Sequence, residues 1–107
     1  MSTNLFDLSN QRILVTGSNG GIGYTIAEGL AQHGASIILN GRDGEKLERA
    51  ALELRAKGFV IETARFDVTN ELEIEAAILE LRTTGAIDVL VNNAGIQRCV
   101  SLENISL

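Results

Sequence analysis

The sequence predicts an α/β fold, a doubly wound parallel sheet with helices on both faces, and three observations carry the prediction. Short apolar runs alternate with stretches of helical periodicity along the whole chain, which is the pattern of repeated βαβ units. The runs are apolar throughout, with little alternation, as strands covered on both faces are. Every distinctive glycine or polar cluster follows a strand, where ligands bind in open sheets of this kind.

The first strand is expected at Ile13-Leu14-Val15 and should stop at the glycine cluster from Gly17 to Gly23. Ile22, Ile26 and Leu30 then recur every four residues, with Ala27 and Ala31 beside them. That places one apolar stripe on a helix, which Gly34 ends. Ile37-Ile38-Leu39 reads as the second strand, broken at Asn40-Gly41, and Leu47, Ala50, Ala51 and Leu54 fall at helical spacing up to Gly58. Val60-Ile61 to Phe66 is the third strand, followed by a loop at Asp67-Val68-Thr69-Asn70. Leu72, Ile74, Ile78, Leu79 and Leu81 mark a third helix closed near Gly85. The fourth strand, Val89-Leu90-Val91, leads into Asn92-Asn93-Ala94-Gly95. The absence of proline suits strands that must each donate to a ladder.

The 107 residues form one domain at most, and 45% apolar with 21% charged residues is the composition of a chain that buries a core. The net charge of −5 offers no basic stripe to a polyanion, so nucleic acid and anionic membrane are excluded as partners. Cys99 is the single cysteine and His33 the single histidine, which leaves no intramolecular disulfide and no Cys/His metal cluster. No run reaches the roughly 20 apolar residues of a membrane span, and a cytoplasmic location is expected.

Gly17, Ser18, Asn19, Gly20, Gly21, Ile22 and Gly23 join the first strand to its helix. Glycines there permit a tight turn and let a pyrophosphate approach the helix N-terminus, where the dipole favours negative charge. The spacing, glycine, three residues, glycine, one residue, glycine, differs from the usual Gly-x-Gly-x-x-Gly fingerprint. Together with Asn-Asn-Ala-Gly after the fourth strand, Thr-Gly-x-x-x-Gly-x-Gly resembles the short-chain dehydrogenase/reductase family, from about Leu5 onward.

The resemblance implies a Rossmann-type sheet, truncated here after the fourth strand, and a nicotinamide cofactor held by the glycine loop. It implies that Asn93, Ala94 and Gly95 help hold the central sheet and line the adenosine side. Gly41 stands where an NAD-selective member carries an acid, and Arg42 offers a fork-shaped cation to a 2′-phosphate. NADP is therefore expected, with NAD as the alternative. Asp43, next in line, is also a candidate cap for the second helix. For Asp67 and Val68 the resemblance implies that the carboxylate accepts from the adenine amino group and the Val68 amide reads the ring. Asp67 could instead cap the third helix, although Thr69 and Asn70 are available for that.

The family's catalytic residues find no match. Tyr24, the single tyrosine, is followed four residues on by Glu28 rather than lysine and reads as a packing residue. Ser101, Asn104 and Ser106 come too soon after Gly95 to fit the pattern. Asn92 to Arg98 is similar to the gluconate 5-dehydrogenase subfamily, which implies that Arg98 binds a sugar-acid carboxylate, though Cys99 stands where members often have a second basic residue. Residues 1–107 are thus expected to be the N-terminal cofactor-binding part of a single-domain oxidoreductase. The complete enzyme, a homo-oligomer, would transfer hydride between nicotinamide and a secondary alcohol or ketone such as gluconate and 5-ketogluconate. The alternatives are a non-catalytic dinucleotide-binding module and a truncated product without function. On any of these the chain alone should not catalyse.

Overall fold

The computed structural model describes residues 7–93. The elements follow the order β1 (Arg12–Val15), α1 (Gly21–Gln32), β2 (Ser36–Gly41), α2 (Gly44–Ala56), β3 (Ile61–Arg65), α3 (Glu71–Arg82) and β4 (Val89–Val91). The four strands form one parallel sheet in the order β3-β2-β1-β4. The chain therefore reverses its direction of growth between β1 and β4, and the carboxyl ends of those two strands flank the crevice where open α/β sheets bind ligands.

Side chains alternate across the two faces of β1 and β2. Ile13, Val15, Ile37 and Leu39 pack with Ala27 and Ala31 of α1 and with Leu47, Ala50, Ala51 and Leu54 of α2. Leu14 and Ile38 point the other way, onto Ala64, Phe66 and the Ile74 and Ile78 of α3. Covering both faces explains why these strands read as unbroken apolar runs.

Three expectations need correction. The second strand does not break at Asn40-Gly41: β2 runs through Gly41, which pairs with Arg65 as Asn40 pairs with Ala64. A dipeptide that favours turns is held extended by tertiary hydrogen bonds described below. The buried face of α1 is Gly23, Ala27 and Ala31, one residue round from the expected stripe; Ile26 and Leu30 are half-buried and Ile22 is 75% exposed. Gly23 goes inward because a Cβ there would meet the Gly17 carbonyl oxygen, and the row that follows it along the helix, Ala27 and Ala31, packs on the strands. In α3 only Ile74 and Ile78 are buried, while Leu72 and Leu79 face solvent.

At the amino end of the sheet Arg12 ties three elements together. Its guanidinium grips both carboxylate oxygens of Glu62 on β3, at 2.6 and 2.8 Å. It also donates to the carbonyls of Leu81 and Gly85 at the end of α3 and to the Thr84 hydroxyl, and the Arg12 backbone exchanges hydrogen bonds with Asp88 just before β4. A forked, charge-assisted pair of this kind is stronger than an ordinary surface ion pair. We expect Arg12→Ala in the full-length protein to cost about 2–4 kcal/mol in denaturant unfolding, because it strips partners from half-buried groups. A loss below about 0.5 kcal/mol would rank Arg12 with exposed ion pairs.

Candidate functional site

The glycine loop leaves β1 at Thr16, whose amide donates to Val91 O and whose hydroxyl donates toward Asn92 Oδ1 at 3.2 Å. Two glycines of the loop, Gly17 and Gly21, adopt positive φ near 60°, a conformation that side chains disfavour. Gly23 answers a different need. A Cβ there would stand 2.2 Å from the Gly17 carbonyl oxygen and 2.5 Å from Asn93 Nδ2, so only glycine lets α1 start against the loop. The Asn93 amide donates to that same Gly17 oxygen at 3.2 Å. The end of β4 is thereby fastened to the loop.

The three helices begin differently. Asp43 accepts from the amides of Glu45 and Lys46 at the start of α2. Asn70 accepts from Glu73 N at the start of α3. Each of these helices also carries glutamate in its first turn. The residue before α1 is Gly20, which supplies no side-chain cap, and the first turn of α1 has no acid. The amides there keep their positive end for an outside acceptor, and a Cβ placed on Gly20 or Gly21 would meet nothing within 4 Å. Open space, uncapped amides and an unopposed dipole suit a phosphate group.

Beside the loop lies a cavity of about 340 Å³ lined by Gly17, Asn19, Gly41, Arg42, Lys46 and Val68 among others. Gly41 is buried, and a Cβ on it would come within 2.5 Å of Asn19 Nδ2. The Asn19 side chain thus covers the spot from which an acidic residue would project, and no carboxylate leaves β2 at residue 41. The Arg42 side chain is 73% exposed and donates a single bond, 3.3 Å to Asp67 Oδ2. Its backbone carbonyl is held by Arg65 Nε at 2.8 Å. Lys46, which the sequence reading passed over, brings a second cation to the same cavity. It sits one helical turn past Asp43, and spacing along the chain alone does not reveal that α2 turns it back toward the loop.

Of the two readings of Asp67, capping is ruled out by the geometry. Its Oδ1 accepts from the Thr69 amide and hydroxyl at 2.8 and 2.7 Å, while Asn70 is the cap of α3. The Thr69 hydroxyl and then its amide, helped by the charge of Arg42, hold the Asp67 carboxyl below the usual aspartate range. Asp67 lines an adjoining cavity of about 360 Å³ with Arg42, Arg65 and Glu73, whereas Val68 faces the Arg42 cavity. Tyr24 packs against the core and donates to Glu53 at 3.0 Å, as a packing residue should. Ala94, Gly95, Arg98 and Cys99 lie outside the described residues.

A parallel sheet with an uncapped, glycine-started helix at its switch point defines a Rossmann-type α/β protein. Residues 11–107 match the family model described as short chain dehydrogenase, and the chain belongs to that family. It is 48% identical over 103 residues to a gluconate 5-dehydrogenase of Gluconobacter oxydans, covering 95% of this chain and 40% of the relative. A 5-keto-D-gluconate 5-reductase of Escherichia coli K12 is 47% identical over 95 residues, covering 88% and 37%. Among solved structures, a gluconate 5-dehydrogenase from Burkholderia cenocepacia in complex with NADP and tartrate superposes with a TM-score of 0.80 at 48% identity, over 92% of this chain and 39% of that one. The chain spans about two fifths of the length of these relatives. No described helix is long and apolar enough to cross a membrane.

Proposed function

We propose that the segment is the cofactor-holding part of an NADP-dependent oxidoreductase that interconverts a sugar-acid alcohol and its ketone, gluconate and 5-ketogluconate by likeness to its relatives. The observation that carries this reading is the uncapped start of α1 at the sheet's switch point, with the exposed Arg42 guanidinium beside it. On this reading residues 1–107 are the N-terminal part of a single cytoplasmic domain, and the catalytic groups belong to the remaining family length. The complete enzyme is a homo-oligomer.

The loop from Gly17 to Gly23 binds the pyrophosphate through the amides that follow Gly17 and Ser18, whose own amides are given to Asn40. Arg42 and Lys46 meet the 2′-phosphate, and the spot at Gly41 carries no acid to repel it. Asp67 and Val68 meet the adenine, and Asn93, Ala94 and Gly95 border the adenosine. Arg98 takes the substrate carboxylate. The nicotinamide, when bound, supplies the hydride acceptor or donor; what this chain's own residues do is hold its distal half and fix its reach.

The test is selective. In the full-length protein Arg42→Ala should weaken NADPH by about 10–100-fold, the scale of lost charge-assisted hydrogen bonds, while NADH changes by less than about threefold. Equal losses in paired titrations would assign the 2′-phosphate elsewhere.

A further inference from the structure

Asn40 is 1% exposed at the carboxyl end of β2, and every polar atom of its side chain is used. Oδ1 accepts from the Gly17 amide at 2.9 Å. Nδ2 donates to the carbonyls of Ala64 and Phe66, both at 3.1 Å. Its backbone adds two more links to the glycine loop: Asn40 N donates to Ser18 Oγ at 2.9 Å, and Asn40 O accepts from Ser18 N at 2.8 Å. Ser18 Oγ in turn donates to Val15 O. One buried residue therefore joins the start of the glycine loop to the exit of β3, immediately before Asp67 and Val68, and itself precedes Gly41 and Arg42.

From this juxtaposition we infer that Asn40 is a positioning residue that sets the phosphate-binding and adenosine-binding segments relative to one another, so that both halves of one rigid ligand are met at once. This rests on the dinucleotide reading above. The chemistry demands an amide. The site needs one acceptor and two donors in a plane, which only Asn and Gln carry, and a space this closed has no room for the extra methylene of Gln. Asn40 borders the Arg42 cavity, but every polar atom of its side chain is bonded within the protein, so its loss should weaken both dinucleotides equally, unlike the loss of Arg42.

Asn40→Asp in the full-length protein tests this. The shape is kept, but an ionised carboxylate opposes the Ala64 and Phe66 carbonyls instead of donating to them. The neutral variant Asn40→Ser, which adds no charge beside Arg42, should keep the NADPH to NADH ratio of the wild type, and at pH 8 Asn40→Asp should bind both at least about tenfold more weakly, the scale set by lost buried hydrogen bonds. As the pH falls the affinity should recover relative to wild type, because the protonated acid regains one donor. Arg42, Asp43, Lys46, Arg65 and Asp67 on the adjoining segments are common to both proteins, so the difference between their profiles belongs to residue 40.

Leu54→Ala, which hollows the core at the far end of α2, should lower the unfolding midpoint without changing either affinity. If Asn40→Asp does not fold, Asn40→Ser still carries the expectation of equal losses. Wild-type affinity for both dinucleotides in a folded residue-40 variant, or an equal loss in Leu54→Ala, overturns the positioning role. A wild-type protein that binds neither dinucleotide overturns the cofactor reading beneath it.

Discussion

Replacing Gly23 by alanine is expected to weaken dinucleotide binding more than about a hundredfold and to cost about 3 kcal/mol of stability, near the upper end of what overpacking does. The added methyl would sit 2.2 Å from the Gly17 carbonyl oxygen and 2.5 Å from Asn93 Nδ2. The first of these neighbours is backbone, so relief requires moving the loop itself or backing α1 away from the sheet. Either movement also parts the Asn93 amide from Gly17 O and displaces the helix end that would face the phosphates. Gly29→Ala is the control on the same helix. A Cβ there meets nothing within 4 Å, so the higher helix propensity of alanine should leave stability unchanged or raised by up to about 1 kcal/mol. Titration and denaturant unfolding of the two full-length variants decide the matter. A Gly23→Ala protein that binds within threefold of wild type would show that α1 can yield at no cost.

How far the sequence discloses this arrangement depends on whether the determining partner is near or far along the chain. The strands, the three helices and the glycine loop announce themselves through local periodicity, and they stand where it puts them. Asn40 does not, because Asn-Gly is ordinarily a turn signal and the hydrogen bonds that keep it in β2 come from Gly17, Ala64 and Phe66. The face of α1 is misread for a related reason. Rows 22/26/30 and 23/27/31 lie one residue apart, hydrophobicity favours the first, and the closeness of the loop selects the second. Two aspartates end strands two and three in similar settings, yet Asp43 caps α2 while Asp67 folds its own loop and pairs with Arg42. Nothing local separates them. Arg12 is the extreme case, since its partners lie 50 to 76 residues away and no spacing rule reaches that far.

The isolated 107-residue chain, in contrast with the full-length protein, is expected to be aggregation-prone or only partly ordered and to show no turnover of gluconate with NADP. The two edges of the sheet explain the first expectation. On the β3 edge, Glu62, Thr63 and Arg65 interrupt the apolar pattern of Ile61–Arg65, which discourages pairing with another chain. The β4 edge is Val89-Leu90-Val91, with no charge inside it, and all three residues keep exposed area, Val89 at 37%. Its three-residue length blunts it somewhat. The one neighbouring acid, Asp88, is already engaged by the Arg12 amide. Exposed Leu72 and Leu79 on α3 add apolar surface, and a chain of this size removes a smaller fraction of its surface from water than a whole domain of the family does. Turnover is not expected because no Tyr-x-x-x-Lys pair occurs in the sequence. Val89→Lys offers a direct check on the edge: a charge placed there should raise the soluble fraction of the isolated chain, whereas Thr63→Lys on the already polar edge should not. A soluble wild-type monomer with a cooperative melt would overturn the stability argument, and NADP-linked turnover by that monomer would overturn the assignment of catalysis to residues beyond this segment.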